Sequence, residues 1–83
     1  MGTSKETISA WFQDGVKRGA THMLVVCDTF DHGDFPIYVM PGEDVRKKAK
    51  EHNDRDKMLR LMEVYKLGMD EDEQLNQGRA FNY

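Results

Sequence analysis

From Met23 to Cys27 every position is apolar, with His22 and Asp28 at the two ends. In an extended chain Met23, Val25 and Cys27 point one way and Leu24 and Val26 the other. A strand with two apolar faces is covered on both sides, so residues 22–28 are predicted as the central strand of a sheet. Upstream the period changes. Ile8, Trp11, Phe12 and Val16 recur at the spacing of one helix face. Thr3 with Glu6 has the spacing of a capping box, and Lys17, Arg18 and Gly19 close the segment with cations and a left-handed cap. Gly15 inside this helix costs about 1 kcal/mol relative to Ala, which close approach of a neighbouring sheet would explain.

Downstream, residues 36–40 read as a shorter strand, with Pro36 tolerated as its first residue or on an edge. Pro41-Gly42 ends it. Glu43 and Asp44 then open a second helix that turns Val45, Ala49 and His52 inward and stops near Asn53. Residues 57–69 fit two templates. Met58, Leu61, Met62 and Tyr65 make a helical stripe, whereas Leu61 to Leu67 carries the β-favouring Val64 and Tyr65. We take the strand, which makes the second helix a crossover between strands. Asp70 with Glu73 caps a last helix that points Leu75 inward and ends near Gly78. Phe81 and Tyr83 alternate in the tail and are predicted to pack. The result is one α+β domain over residues 1–83, a small two-layer α/β unit of order α-β-β-α-β-α. Its three-stranded mixed sheet has the spatial order 3-1-2. A helical C-terminal half on a single hairpin is the alternative.

Composition narrows the setting. A chain of 83 residues makes one domain with a marginal core of its own, and a single cysteine, Cys27, permits no internal disulfide. Association into a homo-oligomer is therefore the expected extra stabiliser. No apolar run reaches the roughly 18 residues that cross a bilayer, so no membrane partner is expected. Met-Gly-Thr-Ser-Lys-Glu lacks the apolar region of a signal peptide, and a reducing, cytoplasmic location in a bacterial host is the expectation. The net charge of -3 disfavours general nucleic-acid binding, which rests on neutralising phosphates.

Chemistry-bearing residues crowd the connection after the first strand. Asp28, Asp31, His32 and Asp34 fall within seven positions, the hard and imidazole donors that hold divalent metals. Their spacing matches no established metal motif, and a polar hairpin turn with Gly33 at positive φ accounts for them equally. No metal, other cofactor or catalytic residue is assigned. Cys27, in a buried strand beside an acid, reads as a small core hydrophobe. His22 reads as a packing residue. Arg46, Lys47, Lys48 and Lys50, followed by Arg55, Lys57 and Arg60, form a basic run that is either a solvated face or an anion-binding one. Phe30 and Phe35 flank the acidic turn, where aromatics would stack on a small ligand or bury in a contact between chains.

Two phrases carry a resemblance: Ala20-Thr21-His22-Met23-Leu24-Val25-Val26-Cys27-Asp28-Thr29-Phe30-Asp31 with Phe35-Pro36-Ile37-Tyr38-Val39, and Met62-Glu63-Val64-Tyr65-Lys66-Leu67. They resemble small proteins of bacteriophages and bacterial genomes. The resemblance implies a phage-borne accessory protein that acts by binding. The leading expectation is a homo-oligomeric, non-enzymatic sponge that sequesters an anionic, nucleotide-like signalling ligand in counter-defence. Its site would use Asp28, Thr29, Phe30, Asp31, His32 and Tyr38, with Arg79 and Tyr83 from the tail or from a neighbouring copy. Two alternatives come from other classes: a protein–protein inhibitor of a host protein, and a metal-dependent hydrolase built on the Asp/His turn.

Overall fold

A computed structural model describes residues 4–77 and 80–83. Its elements are α1 (Lys5–Lys17), β1 (His22–Asp28), β2 (Gly33–Val39), α2 (Val45–Glu51), β3 (Leu59–Lys66) and α3 (Glu71–Leu75). The predicted order α-β-β-α-β-α is the observed one.

Local chemistry sets the helix ends. The hydroxyl of Ser4 accepts from the Thr7 N–H at 3.3 Å and is the N-cap of α1, while the box expected from Thr3 lies outside the described residues. At the other end Gly19 has φ +75°, its N–H donates to Val16 O, and Ala20 N–H reaches back to Gly15 O. These paired bonds form a Schellman cap, which needs a residue free to turn left-handed. Asp44 caps α2 through the N–H groups of Arg46 and Lys47, and Asp70 caps α3 through that of Glu73. Gly15 stands where α1 crosses the sheet. A Cβ there would sit 2.8 Å from the Tyr38 ring and 2.9 Å from Leu67.

The sheet has the order β2-β1-β3, so β1 is central as its two apolar faces require. It is antiparallel throughout, not mixed. The crossover through α2 explains the correction. It returns the chain in the direction of β2, so β3 runs parallel to β2, and β1 lies between them, antiparallel to both. Helices cover both faces, so the two layers expected become three. Ile8 and Phe12 of α1 and Leu75 of α3 pack with Met23, Val25, Tyr65 and Leu67. On the other face Val45 and Ala49 of α2 pack with Leu24, Val26, Val39, Leu61 and Val64. β2 begins at Gly33 rather than residue 36, which puts Pro36 inside the strand. An edge position makes this tolerable, since a proline has no N–H to offer a neighbour.

β3 carries a bulge. Val25 faces Glu63 and Val26 faces Leu61, so Met62 is the extra residue of the bulge. Its outer edge is closed by the end of the chain. Val64 N–H donates to Ala80 O at 2.8 Å, and Asn82 N–H donates to Val64 O at 2.9 Å. One pair further along, the fully buried Gln74 takes over. Its Oε1 accepts from Lys66 N–H and Asn82 Nδ2, and its Nε2 donates to the carbonyls of Lys66 and Asp70. A side-chain amide here plays the part of a strand peptide.

Candidate functional site

The acidic connection folds as a tight turn. Asp28 ends β1, and its Oδ1 accepts from Phe30 N–H at 2.8 Å and Asp31 N–H at 3.3 Å. His32 N–H donates to Asp28 O at 2.7 Å. The positive φ falls on His32, at 58°, and not on Gly33 as the sequence suggested. Asp31 and His32 are exposed, and Phe30 is 73 % exposed. Among the described residues no three His, Cys, Asp or Glu side chains form a group able to hold a metal ion. The Asp28 carboxylate is instead occupied by backbone donors. Burial, and then the neighbouring Asp34, push the Cys27 thiol above its ordinary value, which disfavours a thiolate.

Of the eight residues expected to share a site, the seven described are dispersed. Tyr38 pairs with Met23 near the start of β1, five residues from Asp28, or roughly 17 Å along the strand. It faces α1, where its hydroxyl donates to Trp11 O at 2.8 Å and the Arg18 guanidinium lies 5.1 Å from its ring. Burial and the nearby Asp14 raise its pKa. Tyr83 lies on the opposite face, packed on the α2 side with the Arg46 guanidinium 4.6 Å from its ring. Arg79 lies outside the described residues. Asp28, Thr29, Phe30, Asp31 and His32 stay together in the turn, without Tyr38 or Tyr83.

A different group meets at the same end of the sheet. Residues 54–59 form a loop closed by reciprocal 2.9 Å bonds between Asp54 and Leu59, and Asp56 N–H donates to Asp54 Oδ1. Met58 holds φ 57° in this loop. Thr29 N–H donates to Met58 O at 2.9 Å, so the β1–β2 turn and the α2–β3 connection are tied together. Between them opens a cleft of about 450 Å³ lined by Thr29, Asn53, Arg55, Leu59 and Arg60. Arg60 faces Cys27 across the ladder, so it leaves β3 on the α1 side and forms the rim. The ion pairs among the described residues are Arg18–Asp14 and Lys48–Glu43, and neither involves Arg55 or Arg60. Of the acids nearby in sequence, Asp28 and Asp54 each hold backbone N–H groups of their own turns, and Asp56 follows Arg55 directly.

The result is a partly apolar concavity with a hydroxyl, an amide and two guanidinium groups in its lining. Such a set can receive an anion and hydrogen-bond the group that carries it. The sequence contained the signal in the run Arg55, Lys57, Arg60. Only the fold brings that run beside Thr29. No protein family, curated protein or solved structure matches the chain. No helix among the described residues is long and apolar enough to cross a membrane.

Proposed function

We propose that this chain is a small binding protein that sequesters an anionic, nucleotide-like ligand, with its seat in the cleft between the β1–β2 turn and the α2–β3 connection. The observation that carries the reading is the pair Arg55 and Arg60 lining a 450 Å³ cleft with no carboxylate ion-paired to either among the described residues. Arg55 and Arg60 meet phosphate oxygens, Thr29 and Asn53 hydrogen-bond a sugar or base, and Leu59 supplies an apolar floor. This moves the seat from the acidic turn, whose carboxylates repel phosphate, to the basic loop beside it. In a phage-type setting such a protein works by stoichiometric capture as a homo-oligomeric sponge, and sedimentation giving a monomer at micromolar concentration removes the oligomer from this reading.

The test is calorimetry with ADP, and with adenosine as the uncharged control. ADP binds, adenosine does not, and Arg55→Gln weakens ADP about ten-fold, the effect of losing one charge-assisted contact. Binding also falls steeply as salt rises toward about 0.5 M. Equal behaviour of ADP and adenosine overturns the reading. A second reading, a protein–protein inhibitor, is favoured by Phe30 and Met58, which are 73 % and 49 % exposed at this same end. It gains if Phe30→Ser abolishes capture of a host protein while ADP has no effect.

A further inference from the structure

A second cleft, of about 260 Å³, is lined by Arg46, Ala49, Lys50, Asn53, Leu61 and Tyr83. Asn53 lines the first cleft as well, so the two hollows abut at this one side chain. Asn53 Oδ1 accepts from Leu61 N–H at 3.2 Å, which pins the side chain by its acceptor and leaves its amide N–H groups for a ligand.

The spacing of Arg46, Ala49 and Lys50 puts three of the lining residues on one side of α2, and Asn53 joins them from the turn just after the helix. Positions separated by three and four residues share a helix face. Ala49 is buried against β3, and its small side chain leaves Arg46 and Lys50 standing on either side of it. The acids of this region go elsewhere. Glu43, Asp44 and Glu51 line a separate concavity with Lys47 and Lys48, where Lys48 is ion-paired to Glu43 at 3.0 Å. The helix thus sorts its charges, with uncompensated cations toward Tyr83 and mixed charge on the other side. The Arg46 guanidinium lies 4.6 Å from the centre of the Tyr83 ring, and an aromatic with a cation over it offers a base a stacking partner.

We infer that the two clefts form one elongated seat for a phosphodiester-linked dinucleotide. One phosphate lies against Arg55 and Arg60, the other against Lys50 and Arg46, and a base rests on the Arg46–Tyr83 pair. Cations at both ends of a double hollow, with a pinned amide between them, select a ligand whose charges are separated. Asp54 and Asp56 on either side of Arg55, together with the net charge of -3, oppose extension to a long polyanion. The inference rests on the first cleft being a phosphate seat.

The experiment is calorimetry of the full chain with 5′-phosphorylated diadenylate and with ADP. The two carry similar charge but differ in how far apart it lies. The dinucleotide is expected to bind about ten-fold more tightly than ADP. Lys50→Gln and Arg46→Gln, both at exposed positions, should each bring that preference close to one, with the thermal melt unchanged to show that the fold is intact. Equal affinity for the two ligands, or a preference that survives both substitutions, overturns the dinucleotide seat and leaves the first cleft standing. Failure of both ligands to bind overturns both readings. A hexa-adenylate that binds more tightly still, in proportion to its length, also overturns the inference, because it identifies a general polyanion surface.

Discussion

Gln74 is the residue whose importance exceeds anything its sequence position suggests. Next to it, Leu75 fits the apolar pattern and does pack inward, but Gln74 is the fully buried one. A glutamine in a charged stretch gives no periodic signal. Its role depends on Lys66 and Asn82, eight residues away on either side, and only the fold brings them together. Gln74→Leu leaves the Lys66 N–H and C=O without these partners, and is expected to destabilise the protein by about 3 kcal/mol, measured by urea unfolding. Gly15 was legible, since a glycine inside a strong helix pattern implies close contact. Gly15→Ala gains helix propensity but forces the Tyr38 ring and Leu67 apart, and Tyr38 is tethered through its hydroxyl to Trp11. A net loss of about 1 kcal/mol is expected in the same assay. His22 makes stability depend on pH. Burial, and then the charge of Lys66, lower its pKa below the ordinary 6.5, and its Nε2 is buried without a hydrogen-bond partner. The unfolded chain therefore binds more protons than the folded one as acidity rises. The contribution of neutral His22 is complete above pH 6.5 and is lost as pH falls below it. Thermal melts from about pH 7 to about pH 5 should show this decline, and His22→Gln should flatten it.

At the scale of elements, β1 was readable to the residue because both its faces are buried and its period is two. β3 was harder for a reason now visible. The bulge at Met62 sets Leu61 and Val64 on one face and Met62 and Tyr65 on the other. Apolar residues three apart in a strand imitate a helix, which is why residues 57–69 fit both templates. β2 was placed too late because Gly33 and Asp34 look like turn residues and Pro36 suits the first position of a strand; partners on β1 hold residues 33–35 extended. The tail aromatics were expected to pack: Tyr83 joins the cluster on the α2 face, and Phe81 bridges β3 through its backbone with its side chain partly exposed. Hydrogen exchange tests this closure. The amides of Val64 and Lys66, on the outer side of β3, should exchange slowly because Ala80 and Gln74 accept from them. Fast exchange at both positions contradicts the paired edge.

At the scale of the molecule, the strand order followed from composition, and strand direction did not, because direction depends on tracing the α2 crossover past β1. The candidate site shows the same division. Arg55 and Arg60 were named in the basic run, and Thr29 in the turn, but their meeting depends on the bond from Thr29 to Met58 across the end of the sheet. Tyr38 was drawn into the expected site by closeness in sequence, and the register carries it to the far end of β1 on the opposite side from Tyr83. The central claim is that this end of the sheet, and not the acidic turn alone or the Tyr38–Arg18 face, receives an anion. A nitrogen–proton correlation titration with ADP tests it most directly. The predicted result is saturable shifts at the amides of Thr29, Asn53, Arg55, Leu59 and Arg60, with Arg18, Tyr38 and Met69 unmoved. Shifts centred on Tyr38 and Arg18, or a spectrum that ADP leaves unchanged, would contradict the account.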